Sequence, residues 1–317
     1  MKEETGRFLS KDGKTSVSYL VTIPDGPIKG TVQIVHGMCE YKERYKDFIA
    51  FLADQGYASC IHDHLGHGAT APTPEDLGYF GENYGWRYLV DDTVRLCDMI
   101  QARQEHTGKP YILFGHSMGS FVARLAAVPL GPKLNGAIFC GTAGEHPESA
   151  IALKLVEKVI QSKGSHYRPA MIDKMMFGSY NQRFRPVYTG KEWLSRNVAV
   201  GAAFSKDPLC SFTFTAAAFR DLLELNRKSN ESHWFQSMDH SLPVYFIAGG
   251  SDPVGGYGKG VTQAARRLRK AAGQQAGLVS LKLYPGARHE ILNELNRKEV
   301  YRDILAWIEN STRTISI

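Results

Sequence analysis

The chain has 317 residues, of which 43% are hydrophobic and 22% charged, and its formal net charge is +6. This composition is typical of a globular protein and excludes an intrinsically disordered chain. The length allows one large domain or a domain that carries an insertion.

The polar segment at residues 1–14 lacks the apolar stretch of a secretion signal, and no apolar run reaches the roughly 18 residues of a membrane span. We therefore expect a cytoplasmic protein, and peripheral contact with a membrane stays open. Five scattered cysteines without C-x-x-C spacing indicate neither a disulfide framework nor a zinc site. The basic stretch at 266–270 has no accompanying recognition motif, so we expect a solvated helix face and no nucleic-acid partner.

Strand and helix patterns alternate through the first part of the chain. Strands are predicted at 6–10, 15–23, 31–35, 57–61, 111–114 and 134–140, the first two as an edge hairpin. Helices are predicted at 47–55, 88–105 and 121–128. The alternation predicts an α/β fold with a mostly parallel sheet of about eight strands and helices on both faces.

The alternation stops at about residue 144. From there to residue 240 the sequence has helix patterns, at 151–160, 170–177 and 212–225, and no strand of the earlier kind. Strands return at 243–248 and 278–284, with helices at 257–273 and 298–307. We expect a core formed by 1–143 and 241–317, interrupted by a helical cap at 144–240.

The stretch YILFGHSMGS at 111–120 places Ser117 on a turn between a strand and a helix, within a G-x-S-x-G pattern. The flanking glycines permit a tight turn that lifts the hydroxyl clear of the sheet. The bare pattern can also arise by chance, but the strand before it and the helix after it predict a nucleophile.

A serine nucleophile needs a histidine that takes its proton and a carboxylate that orients the histidine. Asp252 and His289 follow the two late strands, in the order serine, acid, histidine that the α/β-hydrolase fold uses. A turn role for Asp252 and a structural role for His289 are the alternatives. Asp239 and His240 precede a strand, and we expect them at the wrong edge of the sheet.

The tetrahedral intermediate of acyl transfer needs two hydrogen-bond donors, and the backbone amides of Met38 and Met118 are predicted to supply them. His36 and Gly37 close the strand before Met38, and a plain turn is the alternative there. We include His36, Gly37 and His116 among the candidate substrate contacts.

Two further clusters each allow two interpretations. His62, His64 and His67 could bind zinc, but their spacing fits no zinc pattern, and a hydrogen-bonded turn is the better hypothesis. The apolar stripe Met175, Met176 and Phe177 could line an acyl pocket or simply pack against the core. We predict no metal and no cofactor.

The sequence resembles the monoglyceride lipase and lysophospholipase family of α/β-hydrolases. The resemblance rests on IVHGMCEYKERY at 34–45, DHLGHG at 63–68, FGHSMGS at 114–120, GGSDPVG at 249–255 and GARHEILNE at 286–294, and extends over nearly the whole chain. Two departures are Tyr41, where the family often has histidine, and His64-Leu65, where an arginine commonly precedes the glycine. Both departures weaken the inference that this protein has the same substrate as members of the family.

The resemblance implies Ser117 as nucleophile, Asp252 as acid, His289 as general base, the Met38 and Met118 amides as oxyanion donors, and a helical cap over the site. We expect a serine esterase acting through an acyl-enzyme on a monoacylglycerol or lysophospholipid. A short-chain carboxylesterase or thioesterase, and a non-catalytic binding module of the same fold, are the alternatives. The sequence indicates no oligomeric state, and it leaves open a transient membrane contact through the cap.

Overall fold

The computed structural model describes residues 1–145 and 148–313, so residues 146–147 of the expected cap and 314–317 of the expected core lie outside it. The strands are β1 Lys2–Leu9, β2 Ser16–Ile23, β3 Gly30–Val35, β4 Tyr57–His62, β5 Tyr111–His116, β6 Gly136–Cys140, β7 Val244–Gly249 and β8 Val279–Tyr284. They form one sheet in the order β1-β2-β4-β3-β5-β6-β7-β8. β2 pairs antiparallel with β1 and with β4, and all other neighbours are parallel. The predicted mostly parallel, eight-stranded sheet is confirmed.

Ten α-helices are found in the described residues. They are α1 Lys46–Asp54, α2 Trp86–Gln101, α3 Met118–Leu130, α4 Ser149–Lys163, α5 Ala170–Phe177, α6 Val198–Lys206, α7 Ala216–Asn230, α8 Ser232–Ser237, α9 Lys259–Ala272 and α10 Arg297–Arg313. Within the described ranges, no helix combines the length and apolar character needed to cross a membrane.

Successive strand residues point to opposite sides of the sheet, so a continuous apolar strand has apolar side chains on both faces. Helices cover both of these faces. In β5, Leu113 belongs to the apolar cluster that includes α3, whereas Phe114 belongs to the cluster that includes α1 and α10. The ring of Phe114 lies 5.5 Å from that of Phe48 on α1, which in turn lies 5.0 Å from Tyr301 on α10. Both faces of β5 are therefore buried, which is typical of a parallel strand with a continuous apolar sequence.

Between β6 and β7, residues 148–243 contain helices α4 to α8 and no strand. The sequence patterns missed α6 and the short α8. The start of α6 is marked by Asn197, whose side chain accepts a hydrogen bond from the amide of Ala199 (3.2 Å). Likewise, α7 begins at Ala216 because Thr215 caps the amide of Ala218 (3.3 Å), four residues after the predicted start. Capping side chains were therefore the overlooked signal.

The turn from β5 into α3 depends on glycines at both sides of Ser117. A Cβ on Gly115 would overlap the carbonyl oxygen of Gly119, and a Cβ on Gly119 would overlap the carbonyl oxygens of Val35 and His36 at the end of β3. Backbone atoms cannot move aside as a flexible side chain can. The first turn of α3 can approach β3 this closely only because position 119 has no side chain.

Gly119→Ala is expected to lower the free energy of unfolding by about 1–3 kcal/mol or more, because overpacking against backbone forces a shift of α3. Urea unfolding followed by circular dichroism measures this change. Gly277→Ala is the control, since a Cβ there has no atom within 4 Å, and its effect should stay within about 0.5 kcal/mol. Equal effects of the two substitutions would contradict the close approach of α3 and β3.

Candidate active site

Ser117 lies between β5 and α3 with a φ of 53° and a ψ of −124°. A positive φ is rare for a residue with a Cβ and is a strained conformation. Two hydrogen bonds hold it: the Ser117 amide donates to the carbonyl of Cys140 (2.9 Å), and the Ser120 amide donates to the carbonyl of Ser117 (2.8 Å). The turn leaves the half-buried Ser117 hydroxyl facing a cavity.

The loops after β7 and β8 bring Asp252 and His289 to this serine. His289 Nε2 is 2.9 Å from Ser117 Oγ, and His289 Nδ1 is 2.9 Å from Asp252 Oδ2. Asp252 is fully buried, and its other oxygen accepts a hydrogen bond from the amide of Val254 (2.8 Å). The three side chains form a continuous hydrogen-bonded chain of the kind that activates a serine hydroxyl.

The His289 ring is enclosed on several sides. Trp193 lies 5.2 Å and His116 lies 4.9 Å from it, measured between ring centroids. The amide of His289 donates to the carbonyl of Trp193 (3.3 Å), which comes from the segment between α5 and α6. Gly141 has a φ of 58°, and a Cβ there would lie 3.3 Å from His289 Cε1. A side chain at this position would therefore be strained and would also crowd the ring. No sequence pattern predicted a role for Trp193 at this site.

The two predicted oxyanion donors flank Ser117. Met118 is the first residue of α3, so its amide has no partner within the helix and lies at the positive end of the helix dipole. Met38 follows β3, and the loop before it is close to the serine: a Cβ on Gly37 would be 2.9 Å from Ser117 Cβ. Met38, Met118 and Ser117 all line the same cavity.

A buried charged network lies beside these residues. Glu40 accepts hydrogen bonds from the amide of Gly37 (2.7 Å) and the hydroxyl of Tyr45 (2.6 Å), and lies 3.3 Å from His116 Nδ1. Burial works to raise the pKa of Glu40, but His116 and Arg44 outweigh it and hold the pKa of that carboxyl well below its usual range. Burial works to lower the pKa of His116, but Glu40 outweighs it and raises this pKa above its ordinary value.

Arg44 completes the network with an ion pair to Glu290, in which its Nη2 donates to both carboxylate oxygens at 2.7 Å. Only 12% of the Arg44 side chain and 2% of the Glu290 side chain are exposed. Of these residues, the sequence patterns singled out His116 as a candidate substrate contact. The pairing brings together residues 246 positions apart, which no local pattern can reveal.

A cavity of about 980 Å³ opens onto Ser117. Its walls include the candidate contacts His116, Met175, Met176 and Phe177, whereas His36 and Gly37 do not line it. His36 is fully buried, and its ring is hydrogen-bonded to backbone groups. Sequence patterns missed much of the apolar lining, which includes Phe121, Leu155, Trp193, Phe204, Phe212, Leu222 and Leu223.

His62, His64 and His67 form a buried cluster with His36, in which the rings of His36 and His64 are 4.3 Å apart. Burial lowers the pKa of His36 to about 4 and that of His67 to about 3. Within residues 1–145 and 148–313, no group of histidine, cysteine, aspartate and glutamate has an arrangement that could hold a metal ion.

Asp239 and His240 make local hydrogen bonds. Asp239 accepts hydrogen bonds from the amide and hydroxyl of Ser241, as a turn-forming aspartate does, and His240 Nε2 is 2.9 Å from the carbonyl of Phe235. They precede β7, whereas Asp252 follows it.

The sequence profile of the serine aminopeptidase S33 family (Hydrolase_4) matches residues 26–296, well over half of the chain. The monoacylglycerol lipase of Mycolicibacterium smegmatis is 25% identical over 93% of this chain and 94% of its own length. The human monoglyceride lipase is 25% identical over 92% of this chain and 86% of its own.

Solved structures agree with the family assignment. A thermostable carboxyl esterase from Bacillus coagulans, crystallised with glycerol, matches with a TM-score of 0.88 and 30% identity over 98% of this chain and 99% of its own. A soluble variant of the Saccharomyces cerevisiae monoglyceride lipase matches with a TM-score of 0.73 over 94% of this chain and 92% of its own, and its 19% identity supports the fold alone. The chain therefore belongs to the serine aminopeptidase S33 family, and it is a serine ester hydrolase with the α/β-hydrolase fold.

Proposed function

We propose that the substrate is an ester of a single acyl chain, a monoacylglycerol or a lysophospholipid, and that Ser117 forms the acyl-enzyme. The observation that carries this proposal is the cavity in front of Ser117. Its volume of about 980 Å³ is at the large end of the range for small-molecule pockets, and its lining is more apolar than polar. Such a lining stabilises a long hydrocarbon chain by removing it from water.

In the acylation step, Ser117 Oγ attacks the ester carbonyl while His289 Nε2 takes the hydroxyl proton. Asp252 holds the His289 ring in the required tautomer and stabilises its positive charge. The negative charge that forms on the carbonyl oxygen is stabilised by the amides of Met38 and Met118. When the C–O bond breaks, His289 returns the proton to the leaving alcohol, and the acyl group stays on Ser117.

In the deacylation step, His289 takes a proton from water, and the resulting hydroxide attacks the acyl carbonyl. The same two amides stabilise the second oxyanion. His289 then protonates Ser117 Oγ as the fatty acid leaves, so the enzyme returns to its starting state. The distance of 2.9 Å from His289 Nε2 to Ser117 Oγ supports proton transfer between these atoms, and the 2.9 Å contact with Asp252 supports the orientation of the ring.

The expected division into a core and a cap is also part of the proposal. Residues of α4 and α5 line the same cavity as Ser117, as a cap over the site would. α7 is mostly buried and belongs to the same apolar cluster as α3, so it anchors the 144–240 segment to the core. In this proposal the cap excludes bulk water during the reaction.

Several large apolar side chains of the proposed cap are exposed, which favours contact with a lipid surface. The exposed fraction is 74% for Ile151, 64% for Met171, 50% for Met175 and 69% for Tyr188. A surface that delivers a lipid substrate would shield these side chains from water. The cytoplasmic location expected from the sequence stays a prediction.

Ser117→Ala is expected to reduce ester hydrolysis about 10⁴-fold or more, because the remaining oxyanion donors and binding cannot replace the nucleophile. Hydrolysis is measured on nitrophenyl esters of increasing length, long-chain monoacylglycerols and lysophosphatidylcholine. The wild type should turn over a long-chain monoacyl lipid best. Wild-type rates in Ser117→Ala would refute the role of Ser117.

A general carboxylesterase is a second candidate, which the 30% identity to the Bacillus coagulans carboxyl esterase favours. The same panel distinguishes the two. Turnover confined to short nitrophenyl esters and lost in Ser117→Ala would support the carboxylesterase and exclude the lipase.

Met176→Asp is expected to reduce kcat/KM for long acyl chains at least about tenfold and to change it little for short ones, because a long chain at this wall would remove the new carboxylate from water. Met171→Asp on the same helix is the control, since Met171 is 64% exposed and is not part of the cavity wall. It should leave the chain-length profile in detergent unchanged. Identical profiles for both variants would contradict the acyl-binding role of this wall.

A further inference from the structure

The two proposed oxyanion donors are held by different means. The Met118 amide is fixed by the start of α3, but Met38 lies in the loop after β3, outside any helix or strand. The next residue, Cys39, has a φ of 55°, a strained value for a residue with a Cβ. Something other than regular secondary structure must therefore hold the Met38 amide in position.

His36 contacts the peptide unit that contains this amide. Its Nδ1 is 2.8 Å from the carbonyl oxygen of Gly37, and its Nε2 accepts a hydrogen bond from the amide of His64 (3.0 Å). The Gly37 carbonyl and the Met38 amide belong to one planar, trans peptide group, in which they point in opposite directions. A bond that fixes the carbonyl therefore also fixes the direction of the Met38 N–H.

His67 contacts the peptide unit on the other side of Met38. Its Nε2 accepts a hydrogen bond from the amide of Cys39 (3.2 Å), and its Nδ1 is 3.0 Å from the carbonyl of Leu65. The ring also stacks on Phe80, with 5.5 Å between centroids. This bond holds Cys39 in its strained conformation, so both peptide units around the Cα of Met38 are held by imidazoles.

Both imidazoles are bound as the same neutral tautomer. A backbone amide can only donate, so Nε2 of each ring must accept, and Nδ1 must carry the hydrogen that it donates to a carbonyl. Both rings are fully buried. Burial favours the neutral form, lowering the pKa of His36 to about 4 and that of His67 to about 3.

We propose that His36 and His67 are positioning residues that hold the Met38 amide toward the oxyanion, His36 through the carbonyl of Gly37 and His67 through the amide of Cys39. This inference rests on the proposed function, since it assigns a role to the surroundings of the Met38 donor. Neither ring touches the substrate cavity, so both act through the backbone.

Asparagine and glutamine substitutions test the two contacts separately. The asparagine amide reaches the place of Nδ1, and the glutamine amide reaches the place of Nε2. His36→Asn keeps the bond to Gly37, and His67→Gln keeps the bond to Cys39. We therefore expect a higher kcat for His36→Asn than for His36→Gln, and a higher kcat for His67→Gln than for His67→Asn.

The favourable variant at each position should keep kcat within about threefold of the wild type, and the unfavourable one should lower it about 10–100-fold, since complete loss of an oxyanion donor costs 10²–10³-fold. KM for nitrophenyl butyrate should stay within about twofold, because the bound ester does not yet carry the oxyanion charge. The rate at which a fluorophosphonate labels Ser117 should fall in parallel with kcat.

His64→Asn and His64→Gln are the matched controls. His64 belongs to the same buried cluster, and its ring nitrogens have no hydrogen-bond partner in the described part of the chain. The two substitutions should lower kcat equally. Thermal unfolding identifies variants that fail to fold. If both variants at position 67 fail to fold, the comparison of kcat between His36→Asn and His36→Gln tests the inference.

The inference would be overturned if the same residue, asparagine or glutamine, gave the higher kcat at both positions 36 and 67. A change in KM without a change in kcat would also overturn it. Such a result, with turnover still abolished in Ser117→Ala, would leave the proposed function intact. Wild-type turnover in Ser117→Ala would instead refute the proposed function itself.

Discussion

Helix α3 meets the end of β3 at Gly119, where the carbonyl oxygens of Val35 and His36 occupy the space that a side chain would need. This contact places the first turn of α3 beside the loop that carries Met38. It also sets the position of Ser117, which has to adopt a positive φ to connect β5 with a helix so close to the sheet. The nucleophile and both proposed oxyanion donors therefore depend on one backbone contact. The strain at Ser117 is offset by the packing of α3 against the sheet.

Buried polar groups around this contact follow two different rules. Charged groups are paired: Glu40 with His116, Arg44 with Glu290, and Lys42 with Asp63 at 2.7 Å. The histidines at 36, 62, 64 and 67 are instead surrounded by other rings and backbone, and burial lowers the pKa of each. Isolated charges are unfavourable in a low-dielectric interior, so an unpaired imidazole stays neutral there. A neutral imidazole can accept from an amide and donate to a carbonyl at once, which a protonated ring cannot do.

The cavity combines segments that are far apart in sequence. One wall comes from the loop after β3 and the start of α3, and another comes from α4 and α5. Trp193 contributes to the cavity wall and contacts the His289 ring, so the segment between α5 and α6 connects the cavity wall with the general base. Two aspects of the reaction, binding of the acyl chain and orientation of the imidazole, thus depend on the same stretch of chain.

The sequence by itself determined the strands, the hairpin at the edge of the sheet, the turn at Ser117, and the positions of Asp252 and His289 after β7 and β8. These features depend on local rules: apolar periodicity, glycine at tight turns, and the meeting of parallel strand ends at one edge of the sheet. The tertiary structure alone decided that His36 and Gly37 lie outside the cavity wall, that Glu40 pairs with His116 and Arg44 with Glu290, and that Trp193 covers His289. These contacts join residues separated by up to 246 positions, and whether such residues meet depends on how the helices between β6 and β7 pack over the sheet, which no local pattern specifies.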